Sequence, residues 1–249
     1  MRPAPGDPGR GAVQLDDLEL VIFDKDGTLI DFHAMWSGWA EDLARRLESV
    51  TGEPIRGPLF RALGFDAASG RTLAHAPLAV MPMARLRDLT VEVLRAACRS
   101  GTAAEDAVRR SWQAPDPVAL AHPLADLPAL FTSLREGRRR IAVATSDDRA
   151  PTEATLAGLG VAGLVDVVVC ADDGLPVKPA PDMVLHLCRT LGIPPSRAAM
   201  IGDAPADLVM GRAAGVGLRV GVLSGVGSRR DLEPLADVIL PSVASLLDG

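Results

Sequence analysis

The sequence has 249 residues, of which 48% are hydrophobic and 23% are charged, and its formal net charge is −6. This composition is typical of a globular chain with a large apolar core, and the negative charge argues against nucleic acid as a partner, because nucleic-acid-binding proteins present basic surfaces. No apolar run is long enough to span a membrane and no signal-peptide stretch opens the chain, so we expect a cytoplasmic protein without a membrane partner.

The first 14 residues have the composition of a disordered tail. Residues 1–11 contain three prolines, three glycines and two arginines, with almost no apolar side chains. Such a segment buries too little apolar surface to offset the loss of chain entropy on folding. We therefore expect the folded chain to begin at about residue 15.

The first predicted strand ends in two carboxylates. Residues 20–23, LVIF, form a short apolar run typical of a central parallel strand, and Asp24 and Asp26 follow it. Open α/β sheets bind their ligands at this end of their strands. In an extended chain both carboxylates point to one side and Lys25 points to the other, and Gly27 then allows the chain to turn. Taken alone, the stretch would also suit a strand that ends in a polar Asp-Gly turn.

Residues 31–123 have helical character. Tryptophans and leucines recur every three or four positions over residues 32–50, and two further helices are predicted over residues 86–99 and 103–112. Residues 64–80 are loop-like, with a short hairpin or tight turn at Ser69-Gly70. We interpret this segment as a helical insert that interrupts the surrounding fold.

From residue 124 onward, apolar runs alternate with helical patterns, which predicts βαβ units and a parallel sheet. The predicted strands cover residues 141–144, 165–170, 199–201, 218–222 and 238–240. The predicted helices cover residues 127–136, 150–159, 181–191, 206–214 and 243–247. Together with residues 15–30, residues 124–249 therefore predict an α/β core, a Rossmann-like doubly wound parallel sheet, into which the helical segment is inserted.

Several polar residues follow the apolar runs of this core. Thr145 and Ser146 follow the strand at 141–144, Asp203 follows the strand at 199–201 with Asp207 four residues on, and Lys178 precedes the helix at 181–191. Right-handed crossovers bring the carboxyl ends of parallel strands to one edge of a sheet. We therefore expect these residues to meet the two carboxylates of the first strand.

In this order, the four segments resemble the four motifs of the haloacid dehalogenase superfamily, and most closely those of phosphatases related to phosphoglycolate phosphatase. The segments are DKDGT at 24–28, Thr145-Ser146, Lys178 in KPAPD, and IGDAPAD at 201–207. The resemblance covers residues 18–32 and 124–247 and only weakly the segment between them. It implies that residues 31–123 form a C1-type cap over a site on the core domain.

The resemblance implies an Mg2+-dependent phosphatase that hydrolyses a small phosphorylated metabolite, phosphoglycolate or a similar phosphomonoester. Asp24 would be the nucleophile that forms an aspartyl-phosphate, and Asp26 would be the general acid and base. Thr145 with Ser146 would bind the phosphoryl group, and Lys178 would supply positive charge against it.

The resemblance also implies the ligands of Mg2+. These are the side chains of Asp24 and Asp203 and the backbone carbonyl of Asp26, all hard oxygen donors. Asp207 would lie outside this set and orient Lys178.

One residue of the inserted segment is a candidate for contact with the substrate, and the residues after Asp203 depart from the family pattern near the metal. His33, in the inserted segment, is the candidate for a contact with the rest of the substrate. Superfamily members usually carry Ser or Thr after the aspartate of the fourth motif, whereas Ala204-Pro205 follow Asp203 here. One hydroxyl near the metal is therefore missing, although no expected ligand is lost.

The chain contains only two lysines among its 26 basic residues, Lys25 and Lys178, and both lie inside the motifs. Lys178 is predicted to be needed for the chemical step, because it faces the phosphoryl group. Strand alternation turns Lys25 away from its neighbouring carboxylates, so we predict a much smaller role for it.

Some alternatives stay open at this point. Within the superfamily, dehalogenases lack the second carboxylate, and phosphonoacetaldehyde hydrolases use a cap lysine that residues 31–123 do not contain. A sugar phosphomutase of the β-phosphoglucomutase type and a catalytically inert binding module on the same fold both remain as alternatives. We expect a monomer or a homodimer.

Overall fold

The computed structural model of the chain describes residues 15–97 and 101–247, so the predicted tail at residues 1–14 lies outside the described residues. Within these ranges the strands are β1 Leu20–Phe23, β2 Phe65–Asp66, β3 Arg71–Thr72, β4 Arg140–Ala144, β5 Val167–Val169, β6 Ala198–Gly202, β7 Leu218–Val222 and β8 Val238–Leu240. The helices are α1 Phe32–Thr51, α2 Arg56–Leu63, α3 Pro77–Val80, α4 Met83–Ala97, α5 Gly101–Ser111, α6 Leu127–Glu136, α7 Arg149–Gly158, α8 Asp182–Leu191, α9 Pro205–Ala214 and α10 Arg229–Leu232.

Six strands form one parallel sheet in the order β5-β4-β1-β6-β7-β8. Its central strand β1 is completely buried, and its side chains alternate between two cores. Val21 and Phe23 pack with α6 and α7, whereas Leu20 and Ile22 pack with α8 and α9. The predicted α/β fold with a Rossmann-like parallel sheet is therefore confirmed.

The core elements follow the predicted ones closely, except that the short helix α10 was not predicted and two predicted elements differ. The strand predicted over residues 165–170 is shorter, and the helix predicted over 243–247 is a single 3-10 turn, Val243–Leu246. Helix α2 was missed because Gly57 and Pro58 lie in its first turn, where proline is tolerated but hides the helical pattern. Among the described residues, no helix combines the length and apolar content that crossing a membrane requires.

Helices α1, α2, α4 and α5 pack around a third hydrophobic cluster. Trp36 and Trp39 are buried in it, and edge-to-face contacts run from Trp36 to Trp39 and from Trp39 to Trp112, with ring centroids 5.7 and 5.3 Å apart. Strands β2 and β3 form the predicted hairpin around Ser69-Gly70. That residues 31–123 form a separate cap stays a prediction.

The chain leaves and re-enters the core at one place. The backbone N–H of Asp31 donates to the carbonyl of His122 at 2.9 Å, and the N–H of Leu124 donates to the carbonyl of Leu29 at 3.0 Å. The Asp31 carboxylate also accepts from the N–H groups of His33 and Ala34 and so caps α1. Both connections to the helical segment therefore lie side by side.

Candidate active site

The carboxyl ends of three neighbouring strands bring the predicted polar residues together. Asp24 follows β1, Thr145 follows β4, and Asp203 follows β6. The Asp24 N–H donates to the carbonyl of Ile201 at 2.9 Å, and the Thr145 N–H donates to that of Val169 at 3.0 Å. Because the sheet's hydrogen bonding continues one residue beyond the strands, the backbone of both residues is held rigidly.

Lys178 joins the nucleophile candidate to a second aspartate. Its Nζ lies 2.5 Å from Oδ1 of Asp24 and 2.6 Å from Oδ1 of Asp207, and all three side chains are buried. The other Asp207 oxygen accepts from the backbone N–H of Ala204 at 3.0 Å, at the beginning of α9. Asp207 thus holds the ammonium against Asp24, which is the geometry expected of a group that orients Lys178.

Asp203 is enclosed by the loop that contains Gly27 and Thr28 and by a second loop that no sequence motif indicated. Thr28 Oγ1 donates to one carboxylate oxygen at 3.2 Å, and the Val226 N–H donates to the other at 2.8 Å. A Cβ on Gly27, which has φ +86°, or on Gly225 would overlap this carboxylate. The only sequence signal for the second loop is its glycine-rich stretch, residues 225–227, shortly after β7.

The charges of this cluster are unbalanced. One carboxylate oxygen each from Asp24, Asp203 and Asp207 lies within 4.8 Å of the others, and Lys178 is the ammonium that contacts two of them. Burial raises the pKa of Asp24 to about 6 despite the opposing effect of Lys178. Burial, followed by repulsion from Asp24 and Asp207, raises the pKa of Asp203 well above its usual value.

A divalent cation would relieve this repulsion, and buried carboxylate oxygens are the ligands that Mg2+ prefers. The residues present therefore fit the metal that the resemblance implies. The expected side-chain ligands, Asp24 and Asp203, belong to the cluster. Asp207 is the third carboxylate of the cluster, whereas the side chain of Asp26 lies outside it.

Asp26 is held by two groups outside the carboxylate cluster. Its Oδ2 lies 2.8 Å from Nζ of Lys25, and its Oδ1 accepts from the indole N–H of Trp36 at 3.1 Å. Lys25 Nζ also lies 3.0 Å from Oδ2 of Asp147, two residues beyond Thr145. The Asp26 carboxylate is therefore fixed from the core by Lys25 and from the helical segment by Trp36.

The prediction that Lys25 points away from both carboxylates was wrong for Asp26. Alternation applies only to extended chain, and β1 ends at Phe23. The carbonyl of Lys25 already accepts from the N–H groups of Leu29 and Ile30, at 2.8 and 3.1 Å, in a tight turn. Lys25 is 1% exposed, and although burial alone would lower its pKa, Asp26 and Asp147 outweigh burial and raise it.

Six of the predicted catalytic, phosphoryl-binding and metal-binding residues line one small cavity of about 40 Å3, and Asp207, predicted to orient Lys178, lines it as well. The six are Asp24, Asp26, Thr145, Ser146, Lys178 and Asp203. The helical segment contributes apolar side chains to the same cavity, those of Phe32, Ala79 and Val80. The phosphoryl-binding candidates and the helical segment therefore face each other across a small space.

His33 does not line this cavity. Burial and then the positive charge of Arg71 lower the pKa of His33 below its usual value. Both ring nitrogens are buried without a hydrogen-bond partner among the described residues. A contact between His33 and the substrate stays a prediction.

Known proteins resemble this chain over most of its length. The family model described as haloacid dehalogenase-like hydrolase matches residues 18–215. The phosphoglycolate phosphatase of Rhodospirillum rubrum is 32% identical over 196 residues, which cover 79% of this chain and 76% of that protein. The validoxylamine A 7'-phosphate phosphatase of Streptomyces hygroscopicus subsp. limoneus is 26% identical over 245 residues, which cover 92% and 95%.

A solved structure extends the likeness to the fold. The crystal structure of β-phosphoglucomutase from Clostridium difficile is 18% identical, has a TM-score of 0.58, and matches 92% of this chain and 93% of its own. At this identity the likeness shows a common fold alone. The family model covers most of the chain, including all four motifs. The chain therefore belongs to the family of haloacid dehalogenase-like hydrolases.

Proposed function

We propose that this chain is an Mg2+-dependent phosphatase that hydrolyses a small phosphomonoester through an aspartyl-phosphate at Asp24. The observation that carries the proposal is the Asp24 carboxylate itself, which is buried at a strand end and bonded to Lys178. It lines one cavity with Thr145 and Asp203. The relatives from Rhodospirillum rubrum and Streptomyces hygroscopicus, both named as phosphatases, support the same reaction class.

In the first step, an Asp24 carboxylate oxygen attacks phosphorus, and the bond from phosphorus to the ester oxygen breaks. Asp26 donates its proton to the departing alkoxide, so the product leaves as a neutral alcohol. Lys178 offsets the negative charge of the phosphoryl oxygens, and Thr145 and Ser146 donate hydrogen bonds to them. Splitting the hydrolysis in this way replaces one difficult displacement by two easier ones.

In the second step, Asp26 is now a carboxylate and accepts a proton from a water molecule. The oxygen of that water attacks the aspartyl-phosphate, which releases inorganic phosphate and restores Asp24. Asp24, Asp203 and the backbone carbonyl of Asp26 would hold Mg2+, whose charge would neutralise phosphate oxygens when it is bound.

The two alternatives are less well supported. A sugar phosphomutase would need hydrogen-bonding groups for sugar hydroxyls, but the residues that the helical segment contributes to the cavity, Phe32, Ala79 and Val80, are apolar. An inert binding module would not need the complete set of catalytic residues. The reaction products separate the three candidates. A phosphatase releases inorganic phosphate, a phosphomutase yields an isomerised sugar phosphate, and a binding module yields no product.

The metal dependence gives a direct test. Chelation with EDTA is expected to abolish phosphate release from p-nitrophenyl phosphate, because the three carboxylates then repel the substrate. Added Mg2+ is expected to restore this activity. The measurement is steady-state phosphate release against Mg2+ concentration, with far-ultraviolet circular dichroism to follow the fold. Full activity in excess EDTA would contradict the proposal.

The same titration can be sharpened with one variant. In Gly225→Ala, the new methyl group displaces the Asp203 carboxylate, so half-maximal activity is expected to need about tenfold more Mg2+. Gly38→Ala is the matched control, because its added methyl group meets no atom within 4 Å. An unchanged Mg2+ requirement in Gly225→Ala would remove Asp203 from the ligand set.

We also propose that residues 31–123 act as a cap that moves away to admit substrate. A cavity of about 40 Å3 holds little more than a water molecule, so a phosphoester cannot enter with the helical segment in this position. The paired connections at Asp31 and His122 are a natural hinge.

Trp36 offers a reporter for this motion, because its indole N–H contacts Asp26 across the closed site. In a variant with Trp39→Phe and Trp112→Phe, the emission of Trp36 is expected to shift when Mg2+ and orthovanadate are added together. Vanadate is chosen because it occupies a phosphoryl site. Emission that stays constant while vanadate inhibits turnover would contradict cap movement at this residue.

A further inference from the structure

A second, larger cavity lies beside the active site. Its volume is about 470 Å3, and its apolar walls include Met35, Trp36, Met83, Trp112, Pro115 and Pro117. This volume falls in the range of small-molecule sites, which are mostly lined by apolar and aromatic side chains. The catalytic residues described above do not account for it, except that Trp36 contacts Asp26.

A small space of about 30 Å3, which we call the passage, lies between this cavity and the catalytic residues and shares lining residues with both. The passage shares Asp26 and Ser146 with the phosphoryl cavity, and it shares Trp36, Met83 and Asp147 with the large cavity. Leu78 and Met81 form more of its wall. The three spaces therefore follow one another from the phosphoryl site, past Asp26, to the large cavity.

The position of Asp26 indicates which part of the substrate would enter the passage and the large cavity. A general acid must lie within hydrogen-bond reach of the oxygen that it protonates. The alcohol part of the substrate therefore leaves on the Asp26 side of the phosphorus, which is where the passage begins. The large cavity is the next space in that direction.

The charges along this path exclude an anionic alcohol part. The ionisable groups among the described residues that line the passage and the large cavity are Asp26, Asp147 and Asp148, and all are carboxylates. The ammonium of Lys25 is 1% exposed and is already bonded to Asp26 and Asp147. A carboxylate such as that of glycolate would meet negative charge without a cation to compensate it.

We propose that the large cavity binds the alcohol part of the substrate, and that this part is uncharged and apolar, an aryl or longer alkyl group. The proposal rests on the phosphatase function proposed above and names its substrate class. The two methionines at its walls, Met35 and Met83, have flexible side chains that adapt to such a group. Trp36 belongs to the helical segment and lines both the passage and the large cavity, so movement of the cap would also widen the passage.

The test compares three esters by kcat/KM: ethyl phosphate, 2-phenylethyl phosphate and 2-phosphoglycolate. The phenyl group is expected to raise kcat/KM at least about tenfold over ethyl phosphate, because it reaches apolar surface that ethyl does not. 2-Phosphoglycolate is expected to be a poorer substrate than either. A ratio of 2-phenylethyl to ethyl phosphate at or below one, or a preference for 2-phosphoglycolate, would overturn the proposal.

Two variants locate the effect. Ala150, on α7, and Ala114, in the segment after α5, are exposed residues that line the cavity, so Ala150→Trp and Ala114→Trp would each fill it. Both variants are expected to bring the kcat/KM ratio of 2-phenylethyl phosphate to ethyl phosphate close to one. Ala157→Trp is the matched control, because Ala157 is an exposed alanine of α7 that does not line the cavity. A ratio that survives both cavity-filling changes would overturn the assignment of the cavity.

The outcomes also separate this proposal from the phosphatase function. Turnover of none of the three esters, nor of p-nitrophenyl phosphate, would refute both. Turnover of all three esters at similar kcat/KM would leave the phosphatase function standing and refute the apolar site alone.

Discussion

Replacement of Asp24 by asparagine is expected to abolish phosphate release while the fold stays intact. The amide is not a nucleophile, so the aspartyl-phosphate cannot form, and a loss on the order of 10^4-fold or more is expected. The side chain keeps its size, and its Oδ1 can still accept from Lys178, which lies 2.5 Å away in the wild-type structure. Removing one of three clustered carboxylates also relieves repulsion, so no loss of thermal stability is expected.

The measurement is steady-state phosphate release at saturating ester and Mg2+, together with thermal unfolding. Asp42→Asn is the matched control, because Asp42 lies on the exposed surface of α1 and contacts only Arg45 among charged groups of the described chain. In the wild type, an acid-quenched reaction should yield a phosphorylated peptide that contains residue 24. Turnover of Asp24→Asn close to that of the wild type would contradict the assignment of Asp24 as the nucleophile.

The meeting of the motifs could be predicted because it depends on local patterns and one topological rule. An apolar run ending in a polar residue marks the end of a strand, and right-handed crossovers bring such ends together. Asp24, Thr145 and Asp203 each follow such a run. Their backbone positions are then set by the sheet, whatever the surrounding loops do.

The parts that could not be predicted depend on loops and on packing. Gly225 and Val226 surround Asp203 from a loop more than 20 residues further along the chain, and no periodic pattern specifies where that loop packs. Trp36 looked like an ordinary core residue of a helix, yet its indole N–H reaches Asp26. A side chain with an apolar body and one polar atom fits both roles, so the sequence alone does not separate them.

The prediction about the orientation of Lys25 was wrong for a different reason. The alternation rule was applied to a residue two positions past the end of the strand, where the backbone had already turned. The two lysines of this arginine-rich chain each contact a carboxylate of the first motif, Lys25 that of Asp26 and Lys178 that of Asp24. A buried ammonium with two carboxylate partners indicates a position where charge is needed, and this changes the comparison between the two lysines.

Lys178→Met is expected to lower turnover by on the order of a hundredfold or more, because it removes a fixed cation that faces the developing phosphoryl charge. Lys25→Met is expected to be less damaging to turnover, but no longer minor. It leaves Asp26 and Asp147 buried without their cation, which costs about 3–5 kcal/mol of stability and frees the Asp26 carboxylate to move. We therefore expect Lys178 to act on the phosphoryl group and Lys25 to act through Asp26.

The two roles are distinguished by the leaving group. p-Nitrophenolate is weakly basic and leaves without much help from an acid, whereas an alkoxide needs a proton from Asp26. Lys25→Met should therefore lower kcat/KM more for an alkyl phosphate than for p-nitrophenyl phosphate. Lys178→Met should lower both similarly, because both esters transfer the same phosphoryl group.

The comparison of two esters on one protein sample is independent of the fraction that is folded, so the expected instability of Lys25→Met does not obscure it. Asp147→Asn provides a second variant, since it removes one partner of Lys25 without touching Asp26. It should shift the ratio of the two esters in the same direction by a smaller amount. Equal losses for both esters in Lys25→Met would show that Lys25 supports only the fold. A larger loss of turnover in Lys25→Met than in Lys178→Met would mean that the third motif is misplaced at Lys178.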